Sequence, residues 1–325
     1  MTALACRVLL LLVPLLAFRP AAAQQEALDA VVAVRASVPS EARTAQSLGT
    51  SRSGSGVVID DSGLILTIGY LVVEAETIEV EYGERQVLPA ELVAYDHESG
   101  FGLVRTALPV AVSPLRFGDS DALTEETPVL VASRMNVLAV EAAYVRDRRT
   151  FAGSWEYLLD DAIFTAPPFP HFGGAALIDS EGRLVGIGSL IVPDAGPRGR
   201  PMPGNMFVPV GALEPILADL LAEGRRSGAE QPWLGVTLAE DRGHVWVQRV
   251  APDGPAAQAG LGAGDLLVGV AGTSTPDLVE FYRRVRALGA AGVEVPLNRL
   301  NGSRIEDVIV RSTDRASYLR EPSGL

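Results

Sequence analysis

The chain has 325 residues, of which 48% are apolar and 21% charged, with a formal net charge of -13. This composition is typical of a folded protein of two or three domains and excludes a wholly disordered chain. Every basic residue is arginine. The acidic excess argues against nucleic acid or an anionic membrane as the main partner, because both attract basic patches.

The N-terminal segment has the pattern of an export signal. Arg7 provides a positive start, residues 8–18 are mostly apolar, and residues 21–23 are alanines that suit a cleavage site. Pro14 interrupts the apolar stretch, which is short for a bilayer span, although an uncleaved anchor is the alternative interpretation. Cleavage after Ala23 leaves 25 arginines against 40 acidic residues, a net charge of -15.

Cysteine and histidine limit the available chemistry. The only cysteine, Cys6, lies inside the signal, so the mature chain has no disulfide, cysteine nucleophile or cysteine-ligated metal. His97, His171 and His244 are too widely spaced for a zinc motif. We therefore predict no metal and no other cofactor.

Residues 28–210 contain many short strand-like runs separated by glycine, proline and aspartate. Residues 56–59 and 64–67 are apolar and flank Asp-Asp-Ser-Gly, which is a hairpin signature. Closely spaced short strands with such turns predict a pair of β-barrels. The small, polar residues at 43–53 predict a flexible lead-in.

The composition changes at residues 224–232, which we interpret as a linker. A helical pattern then occurs near 255–260, and a longer one runs from Pro276 to Leu288, between strand-like runs. Pro276 suits a first helical turn, and Gly289 suits a C-terminal stop. The pattern predicts a compact α+β unit followed by a frayed tail.

Four segments, in the same order along the chain, resemble the HtrA/Deg family of serine proteases. They are GSGVVID at 54–60 with its following strand, LRFGDSDAL at 115–123, WLGV at 233–236, and GPAAQAGL at 254–261 with the Gly-Asp pair at 264–265. The resemblance covers nearly all of residues 30–312. It implies a mostly β fold, with a trypsin-like double β-barrel followed by an α+β PDZ domain.

The resemblance also implies the domain boundaries and a periplasmic location. The expected segments are a signal peptide at 1–23, a lead-in strand and linker at 24–52, the double barrel at 53–222, a linker at 223–231, the PDZ domain at 232–312 and a tail at 313–325.

All three catalytic positions of the family are replaced. Tyr70 stands where the family has its catalytic histidine, Gly100 where it has the aspartate, and Gly173 where it has the nucleophilic serine. A slip of one residue at the last position changes nothing, because neither Phe172 nor Gly174 is a nucleophile. The sequence therefore predicts no catalytic residue.

These losses remove the chemistry of the family. A serine hydroxyl needs an imidazole to take its proton, and the imidazole needs a carboxylate to orient it. Tyr70, with an ordinary pKa of about 10, is a poor base at neutral pH. Loss of the nucleophile or base costs on the order of a millionfold in turnover.

The alternatives are a working serine endopeptidase of protein quality control and a rearranged active site. The rearranged site would use Asp96, His97 and His171 with a hydroxyl from Ser154 or Thr165.

The PDZ segment keeps the binding pattern of its family. PDZ domains bind a peptide C-terminus by strand addition between a strand and a helix, with loop amides holding the carboxylate. By resemblance, residues 237–240 supply the strand edge. The predicted peptide-binding residues are Leu234, Gly235 and Val236 in the loop, and Leu278, Tyr282 and Val285 on one helical face. The alternative for the helical residues is a place in the core.

The sequence thus predicts a periplasmic protease homologue that binds peptides without cleaving them. C-terminal or unfolded peptides are the expected partners, in a scaffold, chaperone-like or regulatory role. Because family members are typically trimers, a homotrimer or an assembly with an active HtrA-type protease is also expected. No nucleic-acid partner, and no membrane span after signal cleavage, is expected.

Overall fold

The computed structural model describes residues 21–197 and 200–319. Most of the predicted signal, and the end of the tail, lie outside the described residues. The described chain begins with a short helix, α1 (Ala21–Asp29), which spans the predicted cleavage site after Ala23. Within the described part, no helix has both the length and the hydropathy that crossing a membrane requires.

Six antiparallel strands close the first barrel, in the order β1-β2-β3-β6-β5-β4. The strands are β1 (Val31–Ser37), β2 (Ser51–Val58), β3 (Leu64–Ile68), β4 (Thr77–Tyr82), β5 (Gln86–Tyr95) and β6 (Phe101–Thr106). The predicted β2–β3 hairpin is present. Its turn is held by the Asp60 carboxylate, which accepts from the backbone N–H groups of Ser62 and Leu64.

The segment at 43–53 is not the flexible lead-in that its composition predicts. It contains a short helix, α2 (Ala45–Leu48), and enters β2. Arg52 is buried, and its guanidinium donates to the carbonyls of Tyr70 at 3.0 Å and Val73 at 2.8 Å. These bonds anchor the segment to the turn after β3. Because β1 pairs with both β2 and β4, the barrel begins before residue 53.

The second barrel closes in the order β10-β11-β12-β9-β8-β7. The strands are β7 (Pro128–Arg134), β8 (Leu138–Gly153), β9 (Tyr157–Ala166), β10 (Ala176–Ile178), β11 (Leu184–Val192) and β12 (Gly204–Pro209). Residues 149–162 of the β8–β9 hairpin pair only with each other. One apolar cluster runs through both barrels and includes Leu66 and Ile187. A helix, α3 (Leu217–Glu223), follows the second barrel.

The C-terminal unit is a six-stranded sheet with two helices. Its strands are β13 (Val236–Asp241), β14 (His244–Val250), β15 (Leu266–Val270), β16 (Thr273–Ser274), β17 (Glu294–Asn301) and β18 (Arg304–Arg311), and its helices are α4 (Pro255–Gln258) and α5 (Leu278–Ala287). Helix α5 begins after Pro276 because the Asp277 side chain caps it, accepting from the Glu280 N–H. The predicted fold class, two β-barrels followed by an α+β unit, is confirmed.

The tail is ordered as far as Leu319, contrary to the frayed end that the sequence predicts. Thr313 exchanges two backbone hydrogen bonds of 3.0 Å with Trp233. The ring of Tyr318 packs on the Trp233 ring with centroids 4.7 Å apart. The start and the end of the unit are thereby joined.

One arginine attaches the predicted linker at 223–231 to the first barrel. Arg226 donates to both carboxylate oxygens of Asp96, at 2.8 and 2.6 Å, and to Glu98 at 2.9 Å. Burial by itself would raise the pKa of Asp96, but hydrogen bonds from Arg226 and Ser99 outweigh it and hold the pKa below its ordinary value. The Asp96 side chain is only 3% exposed, so it depends on this cation.

Replacing Arg226 by alanine should therefore destabilise the protein. We expect Arg226→Ala to lower the free energy of unfolding by about 2 kcal/mol or more, because it leaves a buried carboxylate without its cation. Arg225→Ala is the matched control, since Arg225 is exposed. Chemical denaturation of the three proteins measures the effect, and equal stability of the two variants would contradict the assignment.

Candidate functional site

The structure brings Tyr70, Gly100 and Gly173 together at the junction of the two barrels. Tyr70 lies in a single helical turn directly after β3. The N–H of Gly69 donates to the Gly100 carbonyl at 2.7 Å. A Cβ atom built on Gly173 would lie 2.9 Å from the Tyr70 hydroxyl oxygen. Their assignment to the three catalytic positions stays a prediction.

Tyr70 acts here as a hydrogen-bond donor. Its hydroxyl donates to the Ser189 carbonyl on β11 at 2.9 Å, which links the two barrels. Burial raises the pKa of Tyr70 above its ordinary value. The hydroxyl therefore stays protonated at neutral pH and cannot act as a general base.

The Gly173-Gly174 pair passes very close to β2. The Ser55 N–H donates to the Gly173 carbonyl at 2.8 Å. A Cβ on Gly174 would lie 1.9 Å from the Ser55 carbonyl oxygen, and Gly174 has a φ of +72°. Both the space and the backbone conformation require glycine at position 174.

Gly100 is in a conformation that disfavours a side chain. Its φ is +83°, and a Cβ there would lie 3.3 Å from the Tyr157 hydroxyl. That hydroxyl is itself engaged, since it donates to the Ser99 carbonyl at 2.7 Å. A side chain at position 100 would therefore meet both backbone strain and Tyr157.

A cavity of about 440 Å³ lies beside Tyr70 and Gly100. Its walls include Tyr70, Gly100, Phe172 and Ser189 from the barrels, Ser154, Trp155 and Tyr157 from the β8–β9 hairpin, and Thr237, Arg249 and Arg315 from the C-terminal part. Among the described residues that line this cavity there is no histidine. Its hydroxyl groups therefore have no imidazole within the cavity to take a proton.

The histidines of the rearranged site contact aromatic rings and not its candidate hydroxyl groups. His97 packs on the Tyr95 ring with centroids 4.2 Å apart, and burial lowers its pKa to about 3. His171 is exposed and meets the Phe169 ring edge-on at 6.1 Å. The Thr165 hydroxyl is buried without a partner among the described residues. Throughout the described ranges, no imidazole forms a hydrogen bond with a serine or threonine hydroxyl.

The predicted carboxylate loop holds a carboxylate from the same chain. The N–H groups of Leu234, Gly235 and Val236 donate to the Glu156 carboxylate at 2.7, 2.7 and 2.8 Å. Gly235 has a φ of +79°, which allows consecutive N–H groups to converge on one anion. The loop is therefore an anion-binding site whose present occupant is Glu156.

Glu156 belongs to the tip of the β8–β9 hairpin, which lies between β13 and α5. The Leu238 N–H on β13 donates to the Ser154 carbonyl at 2.7 Å. The Tyr282 hydroxyl on α5 donates to the Gly153 carbonyl at 2.8 Å. The three predicted groove residues of α5 are buried, which agrees both with lining the groove and with a place in the core. They are Leu278, Tyr282 and Val285.

Sequence reasoning missed Glu156, and no local signal identifies it. It lies 78 residues before Leu234, in a Gly-Ser-Trp-Glu turn with no known motif. Its φ is +60°, a conformation that disfavours a residue with a Cβ. Burial raises the pKa of Glu156 to about 7, although the loop amides favour the ionised form.

Comparison with known families and proteins agrees with this architecture. The family described as trypsin-like peptidase domain matches residues 54–187, and the PDZ domain family matches residues 246–296. A probable periplasmic serine protease do/HhoA-like of Haemophilus influenzae is 26% identical over 291 residues, covering 84% of this chain and 60% of that protein. The periplasmic serine endoprotease DegP of Escherichia coli is 25% identical over 237 residues, covering 67% of this chain and 48% of that protein. The chain thus spans roughly half of the length of these relatives.

Solved structures share the fold. The HtrA-type protease AlgW with a tripeptide superposes with a TM-score of 0.53 at 20% identity, covering 92% of this chain and 97% of that one. A serine endoprotease from Yersinia pestis gives a TM-score of 0.54 at 23% identity, covering 90% of this chain and 96% of that one. At these identities the similarity supports the fold alone.

The contact between Tyr70 and Gly173 can be measured by a double-mutant cycle. Gly173→Ala should lower the free energy of unfolding by about 1–3 kcal/mol, because its Cβ collides with the Tyr70 hydroxyl. In a Tyr70→Phe background, which lacks that hydroxyl, most of this loss should disappear. Gly262→Ala is the control, since its Cβ would meet nothing within 4 Å. A Gly173→Ala loss that is the same in both backgrounds would contradict the contact.

Proposed function

We propose, from the premise that the chain belongs to the HtrA family of trypsin-like serine proteases with a PDZ domain, that it binds peptide C-termini without hydrolysing them. The observation that carries the proposal is the loop at Leu234, Gly235 and Val236. Its three amides meet a carboxylate at 2.7 to 2.8 Å, which is the chemistry that captures a peptide C-terminus.

The surroundings of the loop suit an apolar C-terminal residue. Leu234 and Leu238 are fully buried, and Val285 on α5 is 3% exposed. The β13 edge supplies Leu238 N–H as a donor for an added strand, which the Ser154 carbonyl uses at present. Peptide selection would therefore combine the charge of the terminal carboxylate with apolar contact beside it.

The junction between the barrels supports the absence of hydrolysis. Gly173 has no side chain that could act as a nucleophile. The Tyr70 hydroxyl donates to the Ser189 carbonyl, and burial raises the pKa of Tyr70. Proteolysis by the triad mechanism would require both groups. The relatives are named serine proteases, so hydrolysis of an unfolded protein is the alternative activity.

The role that follows is that of a periplasmic peptide-binding scaffold. The signal-like start of the sequence and the periplasmic relatives support this location. A homotrimer, or assembly with an active HtrA-type protease, would let the groove act in a chaperone-like or regulatory role.

The chain without residues 1–23 should neither cleave unfolded casein nor react with a fluorophosphonate. Gly173→Ser should behave in the same way, because its new hydroxyl would still have no imidazole to take its proton. DegP of Escherichia coli, assayed in parallel, is the positive control. Casein cleavage by the unmodified chain that disappears when one of its own serines is replaced would contradict the proposal.

Peptide binding should depend on a free C-terminus. A peptide with an apolar last residue should bind the full chain at least about tenfold more tightly than its amidated form, by calorimetry, because amidation removes the charge that the loop amides accept. Gly235→Ala should weaken this binding, since it strains the loop at a positive φ. Gly243→Ala is the matched control, because Gly243 has a similar φ of +76° but a Cβ built there would meet nothing within 4 Å. Equal affinity for both peptides would rule out C-terminal recognition.

A further inference from the structure

We infer that the tip of the β8–β9 hairpin is an internal ligand that closes the peptide groove, with the Glu156 side chain in the place of a peptide's terminal carboxylate. This inference rests on the proposed function and names its regulation. A peptide reaches the loop amides only when the hairpin tip has left the groove.

The chemistry of the occupant matches that of the expected ligand. Both oxygens of the Glu156 carboxylate are used, Oε1 by the Gly235 and Val236 amides and Oε2 by the Leu234 amide. A side-chain carboxylate and a terminal carboxylate present the same two oxygens. Since one set of amides cannot hold both, the two ligands exclude each other.

The backbone of the hairpin also occupies the position of a bound peptide. An added strand would lie between β13 and α5. The Ser154 carbonyl takes the Leu238 N–H of β13 at 2.7 Å, and the Gly153 carbonyl takes the Tyr282 hydroxyl of α5 at 2.8 Å. In addition, Leu158 is buried within the apolar cluster of the C-terminal unit. The hairpin therefore blocks the groove along its sides as well as at the carboxylate loop.

The turn at residues 154–156 has glutamate at a position where glycine is favoured. Residues 154–156 form a three-residue hairpin loop, a type in which the last residue usually adopts a left-handed conformation and is usually glycine. Glu156 holds this conformation with a φ of +60°. Glu156 is thus both the residue with a strained backbone and the residue whose carboxylate binds the amides of residues 234–236. Backbone strain of this kind is concentrated at functional contacts.

The hairpin can leave the groove without opening its barrel. Residues 149–162 pair only with each other, so movement of the tip breaks no other strand ladder. The exposed ion pair of Arg283 with Asp160, at 3.3 Å, is weak. The contacts that opening must break are the hydrogen bond of Tyr157 to the Ser99 carbonyl and the packing of Leu158. The apparent affinity for a peptide is then reduced by the fraction of molecules whose groove is open.

Glu156→Gly in the full chain tests the inference, because it removes the carboxylate and relieves the strained turn. Glu156→Gln, which keeps the size of the side chain, is the second variant. Glu141→Gln is the control for loss of one negative charge, since Glu141 is exposed on β8. The readouts are hydrogen exchange of the amides at 234–236 and calorimetric affinity for a peptide with a free apolar C-terminus and for its amidated form.

Both Glu156 variants should exchange these amides at least about tenfold faster than the wild type and bind the free peptide at least about tenfold more tightly. Glu141→Gln should match the wild type in both readouts. Unchanged exchange in the Glu156 variants would overturn the inference. Faster exchange with unchanged peptide affinity would also overturn it, because the carboxylate would then not compete. Faster exchange with no peptide binding by any variant would instead contradict the proposed function, and with it any regulation of the groove.

Discussion

The contact of the C-terminal unit with the second barrel depends on three backbone amides that converge on one acceptor. Gly235 turns the chain so that the N–H groups of residues 234–236 converge, and a buried amide without an acceptor costs about 1–3 kcal/mol. Glu156 satisfies all three from the other half of the molecule. This contact fixes the hairpin tip between β13 and α5. The hairpin in turn forms part of the wall of the cavity beside the barrel junction.

Tyr70 and Gly173 pack in a complementary way at the barrel junction. The Tyr70 hydroxyl occupies the space that a side chain at position 173 would need, and it bonds to the opposite barrel through Ser189. Gly100 has a backbone conformation that few side chains tolerate, beside the Tyr157 hydroxyl. A large residue therefore faces a position without a side chain, as close packing of an interior requires. The junction is therefore a packed contact between the two barrels.

Sequence patterns predicted the elements whose stability is local. The hairpin of β2 and β3 and the cap of α5 each depend on residues a few positions apart. The segment at 43–53 and the tail as far as Leu319 were wrongly predicted to be loose. Their polar composition indicates exposure, but Arg52 and Thr313 find partners distant in sequence. Composition cannot reveal a hydrogen bond whose acceptor is supplied by another element.

The sequence by itself determined the architecture of two barrels and a PDZ domain, and it pointed to the loop at residues 234–236 as a carboxylate-binding segment. Only the tertiary structure decided what that loop holds. Glu156 lies 78 residues before Leu234, and its turn differs from an ordinary three-residue hairpin loop only in having glutamate where glycine is usual. Hydrogen bonds form between groups that are close in space. Packing of the two halves, and not any local pattern, brings this carboxylate to these amides.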